Sequence, residues 1–256
     1  MRLFISMLRH LISFNRKVSG FLNHLLPEFV RRDGNRFFLE NIAPQAIKDG
    51  KTLWDVGGGA QPFLSVEKKK RNNMRVVGLD IDQAELKGAP IGAYDEIIVA
   101  DLCSFGGDGS ADSVICQATL EHVPNTAGAI RAISEMLNAN GKAFIFAPCR
   151  NAAFARLNLL LPQRIKEKIL YFTSPEVEDH QGFPAFYDKC TPREMEALFA
   201  DNGLQVIEKH VFWMSSYFMV LTPVFILWRM WQGLAALVFK DQVCETFCYI
   251  VRKEHL

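Results

Sequence analysis

The chain has 256 residues, 49% hydrophobic and 22% charged, with 29 Lys and Arg set against 28 Asp and Glu. That length allows one large domain with embellishments, and the composition excludes a disordered or collagen-like chain. A formal charge of +1 gives no global electrostatic case for nucleic acid, and six cysteines without a CxxC pair or a His/Cys cluster point to reduced thiols in a cytoplasmic protein rather than to disulfides or a metal site.

Charge is uneven at the start. Residues 1–32 hold Arg2, Arg9, Arg16, Lys17, Arg31 and Arg32 against the single acid Glu28, six basic groups less one acidic, a net of +5. Phe4, Leu8, Leu11, Val18, Leu22, Leu25 and Phe29 recur at spacings of three, four or seven, as one face of a helix would. Residues 1–33 therefore read as a basic amphipathic helical segment. Arg9 and His10 interrupt the apolar run and no small-residue cleavage site follows, which argues against a secretory signal. Two placements compete: the helix lies on the protein's own core, or on an anionic membrane surface.

The remainder, 34–256, reads as one domain. Thr52–Val56 is a strand, the tract 62–72 a helix, Arg75–Asp80 a second strand and 96–100 a third. A fourth strand covers 113–116, a helix covers 126–137, and a fifth strand covers 142–147 after the turn Asn138-Ala-Asn-Gly141. The basic run Lys68-Lys-Lys-Arg71 reads as a solvated helix end. Such alternation argues for a parallel sheet covered on both faces. Residues 151–190 form a long connection broken by Pro162, Pro175 and Pro184. Thr191-Pro-Arg-Glu194 carries an N-cap, a first-turn proline and an acid three residues after the cap, so it starts a helix that Gly203 stops. Two more strands, 204–213 and 245–252, flank an apolar insert at 215–240.

The stretch Asp55-Val-Gly-Gly-Gly-Ala60 runs the first strand into three glycines. Backbone without Cβ atoms permits positive φ and lets a ligand press close. After the first strand of an α/β sheet, such a turn faces the crevice where these folds bind ligands. Asp80 ends the second strand, where an acid can hold a ribose, and Asp101 follows the third. A dinucleotide or S-adenosylmethionine would each suit a ribose-binding acid. The dinucleotide fingerprint needs a glycine at position 62, which is Pro62.

These residues resemble the class I S-adenosylmethionine-dependent methyltransferases, whose first motif is an acid, any residue, Gly, any residue, Gly. The resemblance continues through Val-Val-Gly-Leu-Asp80, Ala-Asp101-Leu-Cys, the run from Asp112 to Glu121-His122-Val-Pro124, and the tract ending in Phe-Ile-Phe-Ala-Pro148, so it covers about residues 50–150. Phe186-Tyr-Asp-Lys-Cys-Thr-Pro-Arg-Glu194 is similar to the segment before the family's penultimate helix. The resemblance implies an α/β, Rossmann-like, doubly wound seven-stranded sheet, mostly parallel with an antiparallel last strand. It implies S-adenosyl-L-methionine as cofactor. By position, Asp55 would serve the methionine amino group, and Gly57, Gly58 and Gly59 would fold over the cofactor. Asp80 and Ile81 would lie at the ribose, Asp101 and Leu102 at the adenine, and Gln117 and Ala118 at the methionine side. The sequence departs from the family at Gln61, where a third glycine is common.

Methyl transfer needs an attacking lone pair aligned with the methyl–sulfur bond, and a hydroxyl acceptor gains from a base. Candidate bases are His122, His180 and Tyr187, with Glu121 and Asp188 beside them. Each has a plainer reading, as a pocket wall, a solvated loop residue or a packed ring. The expected activity is methylation, chiefly O-methylation, of a small, lipid-linked or saccharide acceptor. The competing readings are a catalytically silent scaffold at the membrane and, behind it, a nicotinamide-dependent oxidoreductase.

The tract 211–228 carries no formal charge, and Arg229 is the only one through Phe239. That length reaches the threshold for a membrane span. The flanking strands must stay on one side, however, and Pro223, Arg229 and Gly233 are expected to break the run into short pieces. Trp213, Trp228 and Trp231 suit an interface. The expectation is monotopic attachment to the inner face of the cell membrane, against a buried helical hairpin or a dimer interface.

Overall fold

The chain alternates apolar side chains along each strand so that both faces of one sheet are covered. In the computed structural model, which describes residues 2–161 and 184–254, the strands are β1 (Thr52–Val56), β2 (Arg75–Asp80), β3 (Glu96–Val99), β4 (Ala111–Gln117), β5 (Leu137–Pro148), β6 (Leu204–Phe212) and β7 (Thr246–Lys253). They form a single sheet in the order β3-β2-β1-β4-β5-β7-β6. The first five pair in parallel, and β7 runs antiparallel to both β5 and β6. This is the doubly wound topology expected from the sequence. The order of strand addition reverses between the parallel strands β1 and β4, which opens a crevice at their carboxyl ends.

The two cores follow the pleat. Trp54, Val114, Cys116 and Ile145 bury on one face with Ile130, Ile133 and Phe199. Leu53, Ile115, Phe144 and Phe146 bury on the other with Phe38 and Ile42. Helix α1 is Arg2–His24, and α2 (Val66–Arg71) and α3 (Gln83–Gly88) follow β1 and β2. Further on come α4 (Thr126–Met136), α5 (Ala153–Leu160), α6 (Pro192–Asp201) and α7 (Thr222–Phe239).

Several boundaries differ from expectation for local reasons. Helix α2 begins only after Ser65, whose side chain accepts from the Lys68 amide, because Pro62 to Leu64 are held by the glycine turn. The tract 138–141 is not a turn ahead of the fifth strand; it bulges within β5, where the pairing partner shifts between Ala111 and Ser113. Thr191 caps α6 through its side chain as anticipated.

The apolar insert differs most. Pro223 does not break it, because it lies in the first turn of α7, where an amide donor is not needed. Arg229 and Gly233 lie inside the continuous 18-residue helix, which is long and apolar enough to cross a membrane by length and composition. Its flanks nevertheless return to one place. Phe212 of β6 and Thr246 of β7 are register partners, and the Glu245 amide donates to the Phe212 carbonyl at 2.8 Å. The insert is an enlarged hairpin loop, with both ends on the same side of any surface it meets.

Gly34 threads the chain from α1 onto the sheet. A Cβ there would overlap the Thr246 hydroxyl and lie 2.7 Å from the Phe212 ring. Gly34→Ala is expected to lower unfolding free energy by about 1–3 kcal/mol through this overpacking, read as a reduced denaturant midpoint at unchanged slope.

Candidate functional site

Asp55 ends its strand almost fully buried, at 3% exposure. Its Oδ2 accepts from the Phe63 amide at 2.7 Å and from the Tyr94 hydroxyl at 3.4 Å. Tyr94 also reaches the Gly59 carbonyl at 3.1 Å. Burial raises the Asp55 carboxyl to about 6, against the lowering effect of those two donors. The carboxylate thus ties the far end of the loop 57–63 back to the strand, and Tyr94 links it to Gly59.

The glycines are required by this arrangement. A Cβ on Gly58 would lie 2.6 Å from Asp55 Oδ2. Gly57 has φ +74°, and a Cβ there would overlap Thr119. Gly59, at φ +48°, faces Glu85 and Asp80. Its neighbour in space, Tyr94, packs against bare Gly78, where a Cβ would lie 2.8 Å from the ring.

A cleft of about 330 Å³ opens on this loop, lined in part by Asp55, Gly57, Gly58, Gly59, Asp80, Gln117 and Ala118, together with Gln61, Phe63 and Glu85. Seven of the ten residues read from sequence as cofactor-binding therefore share one cleft. Asp80 accepts from the Asp82 amide at 3.0 Å, and partial burial raises its carboxyl. Ala118 has φ +52°, a conformation that costs a non-glycine residue energy and that clusters at functional sites. Gln117 donates to Asn35 Oδ1 at 2.8 Å, so the amino-terminal segment reaches the cleft wall. Ile81, Asp101 and Leu102 do not line the cleft. Ile81 is exposed, Leu102 is buried in the core, and Asp101 accepts from the Cys103 amide at 2.9 Å.

The candidate bases separate. His122 sits on the turn Leu120–His122 after β4, and its Nδ1 lies 3.0 Å from the Pro184 carbonyl. Since a carbonyl only accepts, Nδ1 carries the proton and Nε2 holds the lone pair of the neutral ring. Nε2 is 3.9 Å from Glu121 Oε1. Glu121 is 6% exposed, Oε2 lacks a hydrogen-bond partner, and burial lifts its carboxyl to about 8. Its carbonyl accepts from the Phe186 and Tyr187 amides, which closes the segment 184–190 over this end of β4. Tyr187 is buried in the core with its phenol raised well above the ordinary range, mainly by burial. Asp188 accepts from the Thr126 amide at 2.9 Å and so fastens the start of α4. His180 lies outside the described residues. Sequence reasoning missed Tyr94 and Asn35; the signal for Tyr94 was Gly78, a glycine inside a strand.

Among the described residues, no group of three or more His, Cys, Asp or Glu side chains is placed to hold a metal ion. A second cavity, about 350 Å³, is lined by charged groups of the amino-terminal segment that pair with one another, as Arg32 with Glu28 and Arg36 with Glu40.

A family model described as a methyltransferase domain matches residues 22–209. The chain belongs to the methyltransferase domain family. Its fold is shared with solved class I members. The phosphoethanolamine N-methyltransferase 2 of Haemonchus contortus, solved with S-adenosyl-L-methionine, superposes at TM-score 0.54 over 86% of this chain and 52% of that one, at 15% identity. The geranyl diphosphate C-methyltransferase of Streptomyces coelicolor A3(2), solved with S-adenosyl-L-homocysteine, gives 0.53 over 84% and 74%, at 14% identity. Among curated relatives, the ubiquinone biosynthesis O-methyltransferase of Ralstonia nicotianae is 32% identical over 45% of this chain and 49% of its own length. That of Neisseria meningitidis serogroup C is 28% identical over 69% and 73%. The chain spans about half the length of the first two such relatives.

The family's cofactor is S-adenosylmethionine, and the residues of this domain fit it. The backbone of the glycine turn lines the cleft together with the Asp55 and Asp80 carboxylates, which suits a ligand carrying an ammonium, a sulfonium and ribose hydroxyls. Gly57→Val is expected to abolish the thermal shift produced by S-adenosylmethionine while the protein stays folded by circular dichroism; an undiminished shift would refute the cleft's assignment.

The buried Glu121 makes stability depend on pH. Its carboxyl titrates at about 8 in the fold against 4.5 when exposed, so between those values the folded state binds more protons than the unfolded one. Stability is therefore lost as pH rises through this window. Glu121→Gln is expected to flatten the fall in Tm between pH 5 and pH 8.

Proposed function

We propose that this chain is an O-methyltransferase that moves the methyl group of S-adenosylmethionine to a hydroxyl of a small or lipid-linked acceptor, with His122 as base. The observation that carries the reading is the glycine-floored cleft at the end of β1, with the His122–Glu121 pair on the turn after neighbouring β4. When bound, the cofactor supplies a methyl carbon on a sulfonium, whose bonding electron pair departs with sulfur as a neutral thioether.

The protein's part is alignment and proton removal. The loop 57–59 and Asp80 hold and orient the cofactor, while the segment 184–190 covers the adjoining space and limits water. Holding reactants in near-attack geometry supplies roughly 7–11 kcal/mol in favourable cases. The Pro184 carbonyl fixes the His122 tautomer, so Nε2 is the atom that takes the acceptor's proton as the oxygen attacks. Glu121, whose carboxyl burial raises to about 8, stands 3.9 Å from Nε2 and helps to place the ring. Tyr187, buried with a raised phenol, supports the wall rather than the proton transfer.

A hydroxyl acceptor is supported by the curated relatives named as O-methyltransferases of ubiquinone biosynthesis. The apolar α7 beside the domain makes a lipid-linked molecule the favoured class over a free saccharide.

His122→Gln is expected to lower kcat by about 10²–10⁴ with cofactor affinity unchanged, measured with methyl-labelled cofactor on a cell extract divided into lipid and aqueous fractions. Label should enter the lipid fraction as a methyl ether. Full turnover in the variant would overturn the base assignment, and label only on amines would overturn the acceptor class.

A further inference from the structure

Helix α1 buries a polar stripe, flanked by the half-buried Leu8, Ile12 and Leu22, and leaves a large apolar face exposed. A surface helix ordinarily turns its apolar stripe to the core and its polar face to solvent. Here Asn15, Ser19 and Asn23, spaced four apart, are the buried positions, at 9% exposure or less. Met7, Leu11, Phe14, Phe21 and Leu25, which recur at helical spacing on a different face, are exposed, Phe14 at 64%.

The buried polar stripe meets α7. The Thr222 amide donates to Asn15 Oδ1 at 2.9 Å, and the Ser19 hydroxyl donates to Thr222 Oγ1 at 3.2 Å. Arg229 donates to Asn23 Oδ1 at 2.5 Å, to the Trp213 carbonyl at 2.8 Å and to Gln232 Oε1 at 2.7 Å, and stacks 4.4 Å from the Trp228 ring. Gln232 and Trp228 donate in turn to Glu245 Oε1, at the root of β7. The only formal charge on α7 is thus spent inward. Its outer face is wholly apolar: Leu227, Met230, Trp231, Leu234, Leu237 and Val238 are all exposed, Leu237 at 81%. Only 22% of the apolar window is buried, which is not the signature of a core helix.

We infer that α1 and α7 together form a docking surface for an anionic lipid bilayer, lying in its interface without crossing it. The inference goes beyond methyl transfer and does not depend on it. Exposure marks a binding surface, and charge selects an anionic bilayer for it. Two neighbouring helices expose long aliphatic and aromatic side chains instead of burying them, and contiguous exposure of this kind marks a binding surface. Basic side chains stand on the same helix, Arg9 and Lys17 among them, and residues 1–32 carry a net +5 that complements acidic headgroups. A second copy of the chain would set that same charge against itself. The hairpin placement of α7, with Phe212 and Thr246 paired at its base, forbids a single crossing.

Flotation of the full chain with vesicles tests this. Phosphatidylcholine vesicles containing phosphatidylglycerol should carry the protein to the top of the gradient, and vesicles of phosphatidylcholine alone should carry about tenfold less. Leu227→Glu with Leu234→Glu, both at exposed positions, should reduce binding to either vesicle by about tenfold or more. Arg9→Glu with Lys17→Glu should remove the preference for the anionic vesicle. Equal binding of wild type to both vesicles would overturn the electrostatic half. Protein left at the bottom, with a concentration-dependent dimer by light scattering that Leu234→Glu dissolves, would overturn the whole and assign the face to a second copy. The S-adenosylmethionine thermal shift, measured on every variant, should stay unchanged; its loss in wild type would count against the cleft alone.

Discussion

One buried carboxylate organises the ligand end of this protein. Asp55 sits where β1 ends, and its Oδ2 gathers the Phe63 amide and the Tyr94 hydroxyl. Because the carboxyl group fills the space where Gly58 would carry a side chain, the loop must be bare there. Because Tyr94 must lie flat on β2 to reach Asp55, Gly78 must be bare as well. Gly58 and the strand glycine Gly78 are therefore consequences of one desolvated acid, while Gly57 is kept bare by Thr119. Its burial also raises its own proton affinity, so the group that shapes the cleft sits near neutrality in its own titration.

A second buried polar system does the opposite job. The seam running from Asn23 through Arg229 and Gln232 to Glu245 fastens helices that would otherwise have no reason to meet by their polar faces. Burial lifts Glu245 to about 7 and lowers Arg229 to about 10, the shifts expected when two opposite charges are taken partly out of water. The Arg229 Nη1 and Nη2, Gln232 Nε2 and Trp228 Nε1 donors each find a defined acceptor, so the seam specifies orientation. The apolar faces are left outward as a result.

Much of the fold was legible because a doubly wound sheet writes itself in two periods. Strand cores such as Val-Val-Gly-Leu and Ser-Val-Ile-Cys are apolar on both sides, and glycine or acid punctuation marks their ends. The cleft was legible for the same reason: the Asp55–Gly59 motif, Asp80 and the residues after β4 are fixed by strand ends, and strand ends converge at the switch point. What escaped was set by distant partners. Nothing local signals that Asn35 reaches Gln117. The apolar face of α1 was read from periodicity, but periodicity says only that faces differ, not which one turns inward. That is decided by Thr222 and Arg229, some two hundred residues away. Pro223 misled because a proline breaks a helix only past its first turn.

The β6–β7 hairpin has a consequence for how this architecture can change. Since Phe212 and Thr246 face each other across a closed ladder, the chain between them is topologically a detour that leaves the parallel strands untouched. Lengthening such a detour costs only a logarithmic loss of chain entropy, about 0.6 kcal/mol per doubling. The edge of the sheet farthest from β3 is therefore a graft point, where an address for a cellular surface can be added, exchanged or removed without renegotiating the chemistry at the other end.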